Sequence, residues 1–254
     1  MGEANPFTLV GRKALVTGGS RGIGSGIVRA FAAHGAEIVF CHLGDCERAW
    51  ELKEDLSSNG AVVHSLECDV SDEKSVAALS KGALERLGQV DILVNCAGIG
   101  GDKPFIEITV DDWDRMISVH LRGTFLVSRC FFAGMLERRY GRIINIASQL
   151  AYKGAPRLTH YCAAKAGIVG FTRALSYEGA PHGVLVNAIA PGPVETDLLM
   201  ELSEEWREMK QKQLPIGHFG QISEITPTAL LLASEAGAYY VGQCLSPNGG
   251  DIMI

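Results

Sequence analysis

The chain has 254 residues, of which 47% are hydrophobic, and a formal net charge of −6. That length and apolar content allow one α/β domain with a sizeable core, and the acidic balance without a basic stripe excludes nucleic acid as an expected partner. Residues 1–13 lack the apolar centre of a signal peptide and no run reaches the roughly 18 apolar residues of a membrane span, so the expected setting is cytoplasmic, with no membrane partner.

In chain order, apolar and β-branched runs predict strands at 13–17, 37–41, 62–67, 92–95, 142–147, 184–189 and 243–245. Helical patterns fall between them at 22–34, 45–58, 72–87, 111–137, 159–180 and 222–235. Runs such as Ile92-Leu-Val-Asn95 lack polar alternation, as expected of strands covered on both faces. The β-α alternation predicts an α/β fold: a single doubly wound, Rossmann-type domain over residues 1–254, with a seven-stranded parallel sheet. Residues 191–220 break the rhythm, with a Glu-rich stretch between proline and glycine punctuation, and predict a substrate lid over about 193–219. Gly2 invites a myristoylation reading, but Pro6 stands where that signal needs Ser or Thr.

Seven cysteines without a CxxC pair, mostly inside apolar runs, fit a reduced compartment and core packing. The histidines at 34, 42, 64, 160, 182 and 218 have no ligand spacing, so no metal site is expected.

Two segments carry chemistry. The first runs from strand to helix through Gly18, Gly22 and Gly24. Glycines there permit a tight turn and a close backbone approach, and the amides opening the next helix can face a pyrophosphate. At the end of the second strand, where a carboxylate would bind a ribose 2′-hydroxyl and repel a 2′-phosphate, the chain has His42. Arg21 in the glycine loop can donate to such a phosphate. The charges therefore favour NADP(H) over NAD(H).

The second segment is Tyr161-Cys-Ala-Ala-Lys165, which on a helix places phenol and ammonium on one face. A phenol ordinarily titrates near pH 10, and a neighbouring ammonium is expected to lower that value toward neutrality.

Taken together, the motifs resemble the short-chain dehydrogenase/reductase family. Thr17-Gly18-Gly19-Ser20-Arg21-Gly22-Ile23-Gly24 is similar to its TGxxxGxG loop, and Cys68-Asp69-Val70 to its adenine-contacting turn. Asn95-Cys96-Ala97-Gly98 is similar to its NNAG segment, Tyr161 to Lys165 to its YxxxK, and Pro191-Gly192-Pro193-Val194-Glu195-Thr196 to its PGxxxT. Ser148, thirteen residues before Tyr161, takes the place of its catalytic serine, and Gly249-Gly250 the place of its closing segment.

The resemblance implies that Ser148 and Tyr161 hydrogen-bond a substrate carbonyl and that Tyr161 exchanges the proton. Lys165 would tune Tyr161 and hold the nicotinamide ribose, while Thr196 and the backbone at Val194 would hold the carboxamide. The family's fourth catalytic group is an asparagine, but this chain has His120 in Val119-His120-Leu121-Arg122-Gly123. Neutral His120 is the expected relay, since a charged ring would be opposed by Lys165; a ring merely packed between helices is the alternative.

The pattern is closest to 3-oxoacyl-acyl-carrier-protein reductases, so the expected activity is hydride transfer between NADP(H) and a 3-oxoacyl thioester or related ketone. Alternatives are an NAD-dependent sugar, polyol or cyclic alcohol dehydrogenase and, outside enzymes, an NADP(H)-sensing regulator. Arg122, Arg129, Arg138, Arg139 and Arg142 form either a patch for an acidic carrier or ordinary helix-face charges. Family members assemble through two long helices, and Phe125, Phe131, Phe132, Phe171 and Leu175 exceed what one core face needs. A homotetramer or homodimer is the expected assembly.

Overall fold

In the computed structural model, which describes residues 5–253, seven parallel strands form one sheet in the order β3-β2-β1-β4-β5-β6-β7. They are β1 (Lys13–Val16), β2 (Glu37–His42), β3 (Val63–Glu67), β4 (Ile92–Asn95), β5 (Gly141–Ile146), β6 (Val184–Ile189) and β7 (Cys244–Leu245). Each lies within about two residues of its predicted position; Gly2 lies outside the described residues. β1 and β4 are neighbours although two strands intervene in sequence, so the connections leave β1 on opposite sides. Ligands bind such sheets in the crevice that this reversal opens at the carboxyl ends of the strands.

The period-2 pleat sorts β1 between two cores. Ala14 and Val16 face α1 (Gly22–Ala33), α2 (Cys46–Ser58) and α10 (Ile222–Ala233), together with Ile27, Phe31, Leu52 and Ile225. Leu15 faces α3 (Glu73–Leu87) and α5 (Gly123–Arg138), with Val76, Leu79, Leu126 and Phe131. Phe31 and Phe40 are fully buried, and truncating either to alanine costs about 3–5 kcal/mol by loss of transfer energy and a residual cavity.

The pattern at 111–137 predicts one helix, but the chain forms three pieces. Thr109 and Asp112 make a reciprocal capping box that starts α4 (Val110–Ile117); a wider π turn covers Ser118–Arg122, and α5 follows. The segment expected as the lid is not irregular either. It contains α8 (Asp197–Met200) and α9 (Glu204–Gln213), the latter capped by the Ser203 hydroxyl, which accepts from the Trp206 amide. Two further helices complete the numbering, α6 (Leu150–Lys153) and α7 (Thr159–Gly179). Among the described residues no helix is long and apolar enough to cross a membrane.

Four of the five arginines are tied down singly, and the exposed Arg129 stands over the Phe125 ring, 6.0 Å from its centre. Arg122 donates to the Ser71 carbonyl, Arg138 to that of Val90 and Arg139 to that of Pro181, while Arg142 is buried beside Glu235. Of the apolar residues expected to exceed one core face, Phe131 is buried and Phe132 and Leu175 pack against the same core. Phe125 and Tyr177 remain exposed on α5 and α7.

Candidate active site

The glycine loop closes over the carboxyl end of β1. The Thr17 hydroxyl oxygen accepts from the Cys96 and Ala97 amides at 3.0 and 3.1 Å, and the Gly19 amide donates to the Cys41 carbonyl at 2.9 Å, so the loop is tied to both neighbouring strand ends. A Cβ on Gly24 would lie 2.0 Å from the Gly18 carbonyl oxygen. Only glycine lets the helix start this close to the loop, leaving the first amides of α1 without intrahelical acceptors and facing the crevice. That cradle suits a pyrophosphate.

His42 is buried at the end of β2, and its Nδ1 has no hydrogen-bond partner in the protein. Asp69 Oδ1 accepts from the Ser71 amide and hydroxyl at 2.9 and 2.7 Å, which fixes the turn that also carries Val70. Asn95 is buried at the end of β4. Its side-chain amide donates to Ser128 Oγ at 3.0 Å and to Asn145 Oδ1 at 2.8 Å inside the fold. That amide ties β4, β5 and α5, while Asn95 Oδ1 has no hydrogen-bond partner in the protein.

Pro191 and Gly192 leave β6, and the Gly192 amide donates to the Pro247 carbonyl at 3.0 Å. Val194 is buried and forms a parallel bridge with Gly220, so both ends of the lid meet. Thr196 follows, with its hydroxyl 3.3 Å from the Val194 carbonyl. Three charges that no motif marks stand around this crevice. Asp45 accepts from the Ser20 hydroxyl at 2.8 Å. Asp197, opening α8, pairs with Arg48 of α2 and lies 3.9 Å from Arg21.

At the other end of the crevice, Ser148 follows β5 and is 8% exposed; its oxygen accepts from the Leu150 amide at 3.1 Å. Tyr161 and Lys165 sit on successive turns of α7, with the ammonium 5.6 Å from the centre of the phenol ring. Lys165 is buried, faces no carboxylate and donates to the Ile146 carbonyl at 2.7 Å. Burial pushes its pKa down to about 8. The expectation of a lowered phenol is not met. Burial pushes Tyr161 up to about 12, against the opposing effect of its hydrogen bond with Ser148. Desolvation of the phenolate is the largest effect, and the Lys165 ammonium directs its proton at a backbone carbonyl rather than at the phenol.

His120 lies in the π turn and is 2% exposed. Its Nε2 is 2.9 Å from the Ile99 carbonyl oxygen and 3.2 Å from the Ile99 amide. One ring nitrogen cannot serve both groups, whereas an asparagine amide offers a donor and an acceptor. The shorter contact is satisfied when Nε2 carries the proton, which leaves Nδ1 as a buried lone pair without a partner. The ring meets Tyr161 edge-on, with centres 5.4 Å apart, and fills the space beneath Gly98, whose Cβ would fall 2.5 Å from His120 Cε1. Burial first, then Lys165, pushes the imidazole down to about 3, so the ring is neutral at physiological pH. His160, the residue before Tyr161, is also buried beside this ring, with Nδ1 unpartnered. Among the described residues no group of three or more His, Cys, Asp or Glu is arranged to hold a metal ion.

Similarity to known proteins agrees with this geometry. A family model described as enoyl-(acyl carrier protein) reductase matches residues 18–251. The 3-oxoacyl-acyl-carrier-protein reductase FabG of Pseudomonas aeruginosa is 40% identical over 247 residues, covering 97% of this chain and 100% of that protein. FabG of Aquifex aeolicus is 38% identical over 243 residues, 95% and 98% of the two chains. Among solved structures, a dehydrogenase/reductase from Sinorhizobium meliloti 1021 has a TM-score of 0.91 at 31% identity, with 98% of each chain covered. A 7α-hydroxysteroid dehydrogenase complexed with NADH and 7-oxo glycochenodeoxycholic acid has a TM-score of 0.94 at 30% identity, covering 100% of this chain and 99% of that one. The chain belongs to the short-chain dehydrogenase/reductase family and is an oxidoreductase acting on CH–OH groups.

Proposed function

We propose that the chain reduces the ketone of a 3-oxoacyl thioester, or a closely related ketone, with NADP(H). The observation that carries the reading is the convergence of three groups at one strand end. Ser148 follows β5, Tyr161 lies one helix turn from Lys165, and Lys165 is bonded to Ile146, two residues before Ser148. The 38–40% identity to 3-oxoacyl-acyl-carrier-protein reductases supports the substrate class.

In this reading the amides of Gly22, Ile23 and Gly24 hold the pyrophosphate in the cradle beside Gly18, with Ser20 and Arg21 at its edge. His42, Asp69 and Val70 line the adenosine end. The backbones of Asn95, Ala97 and Gly98 and the segment Pro191, Gly192, Val194 and Thr196 line the nicotinamide end. When bound, the nicotinamide supplies the hydride. Ser148 orients the substrate carbonyl and Tyr161 gives its proton to the forming alkoxide, the reverse holding for oxidation. The Lys165 ammonium stabilises the phenolate left behind. His120, neutral and with a free Nδ1 lone pair, relays the replacement proton.

Arg21 and Arg48 are the cations that favour a 2′-phosphate, whereas Asp45 beside Ser20 is a carboxylate where one would repel it. Asp45 therefore supports a second reading, an NAD-dependent dehydrogenase of sugars, polyols or cyclic alcohols. The reading also includes a reducing, cytoplasmic setting, which the seven unbridged cysteines support. A homotetramer or homodimer formed through α5 and α7 is supported by the exposed Phe125 and Tyr177. The test is NADPH and NADH oxidation against β-ketoacyl thioesters, cyclic ketones, quinones and ketoses. Faster turnover with NADPH and a thioester is expected; faster turnover with NADH selects the second reading, and no turnover on any member removes both.

A further inference from the structure

The last turn of the chain carries a buried carboxylate that no part of the proposed reaction uses. Asp251 has 3% of its side chain exposed, and three side chains converge on it in four contacts. Lys210 of α9 reaches both oxygens at 2.7 Å, Lys153 of α6 reaches Oδ1 at 2.5 Å, and the Gln149 side-chain amide reaches Oδ2. Gln149 is itself 3% exposed and directly follows Ser148. One carboxylate thus touches the lid helix, the segment after the catalytic strand and the C-terminal tail.

The tail is built to bring it there. Gly249 and Gly250 adopt φ of +64° and +85°, a conformation that favours glycine, and a Cβ on either would lie within 2.9 Å of Ile216 or Pro215 at the lid's end. The Ile216 amide donates to the Gly249 carbonyl at 3.1 Å, and the Gly192 amide to that of Pro247 at 3.0 Å. The same short tail therefore underlies both the end of the lid and the start of the Pro191–Gly192 loop.

We propose that Asp251 is a positioning residue that sets the register of the substrate lid against Ser148. Two lysines on one buried carboxylate hold α9 and α6 at a fixed separation, and the Gln149 bond carries that separation to the backbone beside the catalytic hydroxyl. The carboxylate is buried while Lys153 keeps 38% of its side chain exposed, so the charged hydrogen bonds are best shielded on the Lys210 and Gln149 side, and the three partners act together on one carboxylate. Loss of the carboxylate leaves two lysines without a partner at a partly buried place, and the lid carrying Lys210 is the element free to move away. The role assigned to the lid rests on the proposed reductase reading; the anchoring itself does not.

The experiment compares wild type with Asp251→Asn and, since that variant removes a buried charge, with Lys210→Met, which alters only the lid side of the contact. Amide hydrogen exchange across 204–213 is expected to accelerate about tenfold or more in both variants, while exchange in the strands stays unchanged. KM for the ketone is expected to rise about tenfold with kcat within about threefold, and Lys210→Arg is expected to restore both readouts. Unchanged exchange across 204–213 in both variants overturns the proposal. Accelerated exchange in a protein that turns over no ketone leaves the anchor standing and removes the reductase reading.

Discussion

Lys165 donates from Nζ to the Ile146 carbonyl, 2.7 Å away and two residues before Ser148. A buried ammonium thereby ties the helix that carries Tyr161 to the strand that presents the serine. Its proton is directed at the scaffold, and burial holds the phenol above its ordinary range.

Replacing Tyr161 with phenylalanine removes the transferable proton and keeps the ring that packs against His120. Turnover is expected to fall by about 10²–10⁴-fold, the usual worth of a general acid. Cofactor affinity, read by fluorescence titration with NADPH, is expected to stay within about threefold. Full activity in Y161F would remove the mechanism.

The burial of Lys165 has a signature in stability. Its folded value of about 8 lies below the ordinary 10.5, so between those pH values the unfolded chain binds the proton and the native state does not. Stability then rises with pH across the window, by roughly 3 kcal/mol for this group alone. Below pH 8 that contribution is absent. Urea midpoints measured from pH 7.5 to 10 are expected to climb more steeply for wild type than for K165M. Parallel curves would mean that the ammonium is not desolvated.

His120 gives the opposite limb. Its folded value of about 3 lies below the ordinary 6.5, so stability from this group is full above pH 6.5 and is lost as the pH falls toward 3. H120N is expected to lose less stability than wild type between pH 6.5 and 4, measured by the same midpoints. The relay role makes a separate prediction: H120A slows turnover and shifts its pH profile, whereas H120N, which can contact both the amide and the carbonyl of Ile99, restores the rate. Identical profiles for all three proteins would take His120 out of the proton path.

Cofactor choice turns on charges at two loops. R48A and R21A are each expected to lower kcat/KM for NADPH by about tenfold relative to NADH, from loss of a charge-assisted hydrogen bond. D45S is expected to move the ratio the other way, since it removes the carboxylate held by Ser20. A ratio unmoved by all three substitutions would place the 2′-position elsewhere.

The strands and the glycine loop are legible in the sequence because their signals are local: apolar runs bounded by turns, and glycines at a strand-to-helix junction. The family motifs add Ser148, Tyr161 and Lys165 by order and spacing. Asp45, Asp197 and Asp251 carry no such mark, since each finds its partners through the fold; Asp251 and Gln149 are 102 residues apart. The π turn at Ser118–Arg122 is hidden for another reason: the helix that follows, Gly123–Arg138, has little apolar-polar alternation, so the change of phase that one extra residue causes leaves no mark in the sequence. The direction of the Tyr161 shift is not legible either, because it depends on how much solvent reaches the phenol.

Beneath the site runs a buried row of side chains: Asn95 bonds to Ser128 and Asn145, and Asn145 to Thr172 on α7. Thr172 lies three turns beyond Tyr161 on the same helix, about 16 Å along its axis. The row pins α7 at mid-length and Lys165 pins it again near its start, so the helix behaves as a beam fixed at two points with the phenol close to one support. Such a beam transmits little of a neighbour's motion, so the place of the phenol is set by the strands rather than by the segments around it.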